Sequence, residues 1–140
     1  LARAELLVQA RSFRQHLALR DGAKQAFLLK PDLALRLDGR APLLVDMKYK
    51  LLDAGSSRLG VAPSDFYQMM AYAHRFACPH VLLLYPQMSS MPDPLRHTFH
   101  LVGSPAHITV HTIDLCRDLT SPASRSLLIA ELAEGFAHVD

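Results

Sequence analysis

A short apolar run, Ala41 to Val45, ends in Asp46-Met47-Lys48-Tyr49-Lys50, and this junction constrains the chain more than any other stretch. Side chains of a strand alternate between its two faces. Asp46, Lys48 and Lys50 therefore share one face, and Val45, Met47 and Tyr49 share the other. Upstream, Leu29-Lys30-Pro31-Asp32-Leu33 supplies a second acid. Between the two lies Asp38-Gly39-Arg40, a strong hairpin signal. A loop of those three residues pairs Leu37 with Ala41, Leu35 with Leu43, Leu33 with Val45 and Asp32 with Asp46. A slip of one residue would bury the charged set, so the apolar pattern fixes the parity of the pairing. Two carboxylates facing each other across a hairpin repel. A cation held between them removes that objection.

Around this hairpin the pattern predicts a helix over residues 2–11, with Leu6, Leu7 and Ala10 as its apolar stripe. Residues 13–19 alternate and predict a strand ending at the turn dipeptide Asp21-Gly22. Residues 25–37 predict one extended segment bent at Pro31, which cannot donate to a ladder. Residues 41–49 complete a three-strand meander. Residues 51–63, rich in Gly and Ser, read as a mobile loop. Ser64 is placed to cap a helix over 65–77, with Asp65 in its first turn where the dipole favours an anion. On that helix Asp65, Gln68 and Tyr72 share one face, while Phe66, Met69, Met70 and Ala73 supply core. The continuous apolar run 81–85 predicts a buried central strand. A proline-rich loop over 86–96, strands over 98–102 and 108–115, and a closing amphipathic helix over 127–137 follow. The order predicts an α/β layer arrangement.

A chain of 140 residues, half of them hydrophobic, is sized for one domain with a full core. One domain over 1–140 is the expectation. The chain opens at Leu1 and inside a predicted helix, which predicts the C-terminal fragment of a longer protein. A net charge of +2 neither demands nor excludes nucleic acid. Cys78 and Cys116 stand far apart, which suits a reducing compartment and gives no cysteine-based metal site. No apolar run approaches the roughly 20 residues of a membrane span, and a cytoplasmic location is the expectation.

Phosphodiester hydrolysis needs an activated water, compensation of the phosphate charge and a stabilised leaving oxygen, and carboxylate-held Mg²⁺ supplies most of this. Magnesium keeps several waters, so Asp32 and Asp46 suffice as side-chain ligands, with the Met47 carbonyl as a third. Lys48, one strand step from Asp46, is a compact cation that can orient water or neutralise the phosphate. A solvated strand face is the competing account of an isolated Asp-x-Lys. The matching acid on the neighbouring strand, together with the helix that follows, favours the site.

The segments KPDLAL, LLVDMKYK, SDFYQMMAYA and VLLLYP, in this order, resemble the McrC family, nuclease subunits of McrBC modification-dependent restriction systems. That family belongs to the PD-(D/E)xK nuclease superfamily. The resemblance is strong over residues 27–86 and weak over the later strand and helix. It implies a restriction-endonuclease-like core, a mixed central sheet flanked by helices, with Asp32, Asp46 and Lys48 as catalytic residues. It implies a Mg²⁺ cofactor, with Mn²⁺ able to substitute. Gln68 and Tyr72 are implied to approach the site or the DNA, and Glu5 is a candidate acid to complete the metal shell. The partners implied are double-stranded DNA and a GTP-driven AAA+ motor like McrB, on a separate chain because no G-x-x-x-x-G-K-[ST] loop is present. The activity implied is cleavage within a restriction complex that responds to 5-methylcytosine. A RecB-like repair nuclease, which shares the Gln-x-x-x-Tyr helix, and an inactive assembly module of the same fold remain as alternatives.

Asp65 reads as a cap or a supporting group rather than a ligand. Lys30, Lys50, Arg58 and Arg75 are candidates to line a DNA path, although phosphate contacts carry no sequence information. His97, His100, His107 and His111 read as scattered surface residues.

Overall fold

The structure, a computed structural model, describes residues 4–9, 11–37 and 39–136. It is a mixed six-stranded sheet with a helix on each face and a separate two-stranded ribbon. The strands are β1 (Ala4–Val8), β2 (Gln15–Arg20), β3 (Lys24–Leu29), β4 (Leu33–Leu37), β5 (Leu43–Met47), β6 (His80–Pro86), β7 (Arg96–His100) and β8 (His107–Ile113). The helices are α1 (Pro63–Arg75) and α2 (Pro122–Phe136). The large sheet runs β1-β4-β5-β6-β8-β7, and β2 pairs only with β3. Strands β5, β6 and β8 are parallel, and the other neighbours are antiparallel.

The central position predicted for the 81–85 run is borne out. Val81 to Tyr85 are all buried, with β5 and β8 on either side. The hairpin register is also borne out, with Leu33 opposite Val45 and Leu35 opposite Leu43. Asp38 lies outside the described residues. Gly39 turns with φ of 74°, a conformation glycine adopts freely. Alternation along these strands sends Leu44, Leu83 and Tyr85 to the core under α1, with Met69, Tyr72 and Ala73. Val45, Leu82, Leu84 and Ile113 go to the opposite face, where Leu128 of α2 packs.

Several expectations are corrected. The helix predicted over 2–11 is strand β1 where it is described, antiparallel to β4, with Leu7 packed toward the core. Its short apolar stripe fits either period, and the exposed edge of β4 decides the outcome by offering backbone partners. Residues 2, 3 and 10 lie outside the described residues. The predicted bent segment 25–37 is two strands in two different sheets, parted at Lys30-Pro31-Asp32. Helix α1 starts at Pro63 after Ala62, with no side-chain cap, so Ser64 is not its cap. Proline suits that first position because its missing N–H would have had no helical partner.

The predicted mobile loop is a set of linked turns. Asp53 N–H donates to the Leu59 carbonyl at 2.8 Å and Ser56 N–H to the Asp53 carbonyl at 3.1 Å. Leu59 and Val61 are buried. A Cβ on Gly60 would sit 2.8 Å from the Asp53 nitrogen, so this close approach requires glycine. These turns carry the chain from the end of β5 back to the start of α1. Helix α2 begins five residues earlier than the residue 127 expected, at Pro122, another first-turn proline. Among the described residues no helix is long and apolar enough to cross a membrane.

Candidate active site

The site forms where β5 leaves the sheet. Leu44 and Asp46 lie on the α1 side, and Asp46 is buried to 3% exposure beside the apolar core. The ladder continues one step further, with Lys48 N–H donating to the Leu84 carbonyl at 2.9 Å. That bond holds Lys48 in strand-like register, so its side chain returns to the Asp46 side. Asp32 stands just before β4, which Pro31 has freed from the β3 ladder. Its carbonyl accepts from Gln9 N–H at 2.8 Å, and its Oδ2 accepts from Met47 N–H at 2.9 Å. The Asp32 carboxylate is thereby fastened across the end of β5.

Helix α1 supplies the other wall. Its Asp65, Gln68 and Tyr72 share one face, as the spacing predicted, and all three reach the cluster. Lys48 Nζ lies 2.7 Å from Asp46 Oδ2 and donates to Gln68 Oε1 at 2.9 Å; Asp65 Oδ1 is 3.8 Å away. Gln68 Nε2 donates to the Tyr72 hydroxyl at 3.1 Å. Lys50 Nζ donates to Asp65 Oδ2 at 2.7 Å. Gln68 is thus held at both ends, by an ammonium on its oxygen and a phenol on its nitrogen.

The electrostatics follow from burial. Desolvation raises the Asp46 pKa; the Lys48 hydrogen bond pulls it back, and the neighbouring Asp32 charge raises it again. Burial also raises the Tyr72 hydroxyl, and the charges of Asp46 and Asp32 raise it further, so Tyr72 stays a phenol. A residue that sequence reasoning missed is Tyr85. Burial and then the charges of Asp65 and Asp46 push its pKa up to about 12. Its hydroxyl is buried with no hydrogen-bond partner among the described residues. The signal was available: Tyr85 shares the parity of Leu83, hence the face of Asp46.

Asp32, Asp46, Lys48, Gln68, Tyr72 and Asp65 are therefore brought together, while other candidates are not. Glu5 pairs with Arg36 at 3.3 Å on the β1–β4 edge. The register sets it opposite Arg36, four strand steps from Asp32, or roughly 13 Å at the usual rise. Lys50 lies at the rim but is committed to Asp65. Arg75 Nε donates to the His16 carbonyl at 2.9 Å and ties the ribbon to α1. Lys30 and Arg58 remain exposed. Of the histidines, His97 and His100 are exposed, but His111 is buried to 3%, which corrects its reading as a surface residue. His107 is half-buried and stacks between His80 and His100, at ring separations of 4.3 and 5.5 Å.

The donors that can hold a metal are oxygen atoms: two carboxylates with a lysine beside them. Among the described residues no three His, Cys, Asp or Glu side chains are arranged so that all three could hold one metal ion. Such a donor set excludes a soft-metal site and fits a hard dication that retains water.

Residues 3–86 match the family model described as the McrBC 5-methylcytosine restriction system component. No curated protein matches the chain. Among solved structures, the chain is similar to a chain of the refined half-complex from the tetradecameric assembly of Thermococcus gammatolerans McrB AAA+ hexamers with bound McrC. The TM-score is 0.66 at 14% identity, over 94% of this chain and 28% of that one. This likeness shows a shared fold. The chain spans just over a quarter of the length of the one it matches.

Proposed function

We propose that this chain, which belongs to the McrBC 5-methylcytosine restriction system component family, is a metal-dependent DNA endonuclease domain with a restriction-endonuclease-like, PD-(D/E)xK core. The observation that carries the reading is the convergence of Asp32 and Asp46 at the end of β5, with Lys48 Nζ 2.7 Å from Asp46. Buried Asp46 and half-buried Asp32 with one lysine leave a net negative charge in a partly desolvated corner, which a dication complements.

In this reading Asp32, Asp46 and the Met47 carbonyl hold Mg²⁺, for which Mn²⁺ can substitute. When bound, the ion supplies an acidified water and offsets charge on the scissile phosphate. Asp32 is pre-set for its part by the Met47 N–H, which fixes one carboxylate oxygen and leaves the other available. Lys48 stands within one side-chain movement of the phosphate's developing charge. Gln68 limits where the ammonium can go, and Tyr72 in turn anchors Gln68. Exposed Lys30 and Arg58 are available as phosphate contacts, which would position duplex DNA without reading its sequence.

The partner in this reading is a McrB-like, GTP-driven motor on a separate chain. The similar fold occurs in an assembly of McrB AAA+ hexamers with bound McrC, and this chain carries no phosphate-binding Gly-Lys loop of its own. Reading of the modified base then belongs to the motor. The test is DNA cleavage by the complete complex with GTP and Mg²⁺, comparing wild type with Asp46→Ala. Equal cleavage by the two would refute the proposal.

A further inference from the structure

Lys48 poses a problem for the site just described, because it occupies the acid that a cation needs. Its ammonium is 2.7 Å from Asp46 Oδ2, within the range of a full charge-assisted hydrogen bond. A dication arriving at Asp46 must displace that ammonium, which sits in a partly buried corner. Sending a lysine into an apolar corner without a counter-charge is unfavourable. The chain must supply another acceptor, or metal affinity suffers.

The structure holds one candidate. Asp65 Oδ1 lies 3.8 Å from Lys48 Nζ, beyond hydrogen-bond distance, whereas Oδ2 is bonded to Lys50 at 2.7 Å. A movement of about 1 Å brings the Lys48 ammonium to bonding distance of Oδ1. Gln68 Oε1, already 2.9 Å from the same ammonium, lies on the same helix face and can keep its bond during that movement. Asp65 is itself buried to 8% and stands in the first turn of α1, where the helix N-terminus favours a carboxylate. Lys50, half-exposed, neutralises part of its charge from the solvent side. Asp65 is thus a preformed second berth for Lys48.

We infer that Asp65 is a positioning residue which takes over Lys48 when a cation occupies Asp46, without itself touching the cation. This deepens the proposed function and rests on it. Asp65 thereby couples metal binding to the placement of the amine: the cation's arrival moves Lys48 away from Asp46 and toward the first turn of α1.

The experiment is a calorimetric Mn²⁺ titration of the full chain in four forms: wild type, Asp65→Asn, Lys48→Met and the double variant. Asp65→Asn is expected to weaken Mn²⁺ binding about five- to tenfold, the scale of a coupling carried by one charge pair. In the Lys48→Met background the same change is expected to have no effect, because no ammonium needs a berth. A loss that persists in the Lys48→Met background makes Asp65 a ligand and overturns the inference. No loss in either background makes Asp65 a structural anchor of α1 and also overturns it. Wild type that takes up no Mn²⁺, or binding that survives Asp46→Ala, sinks the metal site and the inference together, a result distinct from the other two.

Melting curves accompany each titration. Should Asp65→Asn fail to fold, Lys50→Met at its half-exposed position supplies the second arm. Freed of Lys50, Asp65 draws Lys48 harder, so Mn²⁺ binding is expected to tighten more in the wild-type background than in the Lys48→Met background. Equal effects in the two backgrounds overturn the inference.

Discussion

The two faces of the central sheet are made by the same strands and differ in what they bury. Under α1, Leu44, Leu83 and Val81 surround a charged cluster of Asp46, Lys48 and Asp65. Under α2, Val45, Leu82, Leu84 and Ile113 form a smaller apolar patch. The polar groups on that side are a chain in which His80 bonds Thr109 at 2.9 Å and Thr109 bonds Thr98 at 3.0 Å, and an ion pair of Arg117 with Glu131 of α2. Burial and the neighbouring His100 lower the His107 pKa, which keeps its ring uncharged near neutral pH. On this face the charges of Arg117 and Glu131 offset each other within one pair. The other keeps an acid whose pKa is raised and a hydroxyl without a partner. Incompletely compensated burial of titratable groups is the mark of a candidate site, and here it singles out the α1 face.

The sharpest way to break this contrast is to remove the acids. Asp32→Ala and Asp46→Ala are each expected to lower DNA cleavage by the complete complex by about 10³-fold or more, since a held metal contributes several kcal/mol to the transition state. Single-turnover cleavage of methylated duplex checks this. A residual rate within about tenfold of wild type for either variant would deny that acid a place in the chemistry.

The opposite face should answer in stability alone. Leu82 is fully buried against Val45 and Leu84, so Leu82→Ala is expected to lower stability by about 2–5 kcal/mol through transfer and cavity terms. Its Mn²⁺ affinity, measured by calorimetry below the melting range, is expected to match wild type. A joint fall of stability and affinity would show that the two faces are not energetically separate.

Much of this division was legible in the residues. Period-two alternation through Leu43–Lys48 assigned Asp46 and Lys48 to one face, and the hairpin match of Leu33 with Val45 brought Asp32 alongside. Helical spacing placed Gln68 and Tyr72 together. What the sequence concealed was decided by partners distant along the chain. Residues 4–8 pair as a strand because β4 presents an open edge, and five residues are too few to declare a period. Pro31 predicts a bend, but a missing N–H is equally a place to change sheets, and here β3 and β4 part company. The second role of Asp65 could not be read at all. It depends on linked turns over 51–62 that bring the start of α1 beside Lys48 and Lys50, and Gly and Ser content alone does not predict those turns.

Asp46 also offers a test through pH. Its folded-state pKa lies above the ordinary carboxylate value of 3.8, chiefly through burial. The sign follows: ionised Asp46 lowers stability at every pH above its folded pKa, and the penalty fades as pH falls toward 3.8. Asp46→Asn is therefore expected to melt above wild type at neutral pH in metal-free buffer, with the gap closing on acidification. Lys48 retains Gln68 and Asp65 as partners in that variant. Melting curves between pH 4 and pH 8 check this, roughly bracketing the ordinary carboxylate range and neutrality. A gap that widens toward acid pH would mean that the Lys48 bond, not burial, dominates.

The finest distinction lies between two tyrosines on the charged face. Both rings are buried, and the charge of Asp46 acts on both hydroxyls, joined by Asp32 at Tyr72 and by Asp65 at Tyr85. Tyr72 accepts from Gln68 Nε2 and so anchors the amide that steadies Lys48. Tyr85 has no such partner. Removing a bonded hydroxyl strands its donor, while removing an unbonded one relieves desolvation, each by about 1 kcal/mol and in opposite directions. Tyr72→Phe is expected to lower the melting point and Tyr85→Phe to raise it, by about 2–8 °C for a domain of this size. Differential scanning calorimetry of the metal-free chain reads both. If Tyr85→Phe instead falls alongside Tyr72→Phe, its hydroxyl holds a water shared with Asp46 or Asp65, and the charged face is better compensated than its direct contacts indicate. The contrast with the α2 face would then rest on Asp46 alone.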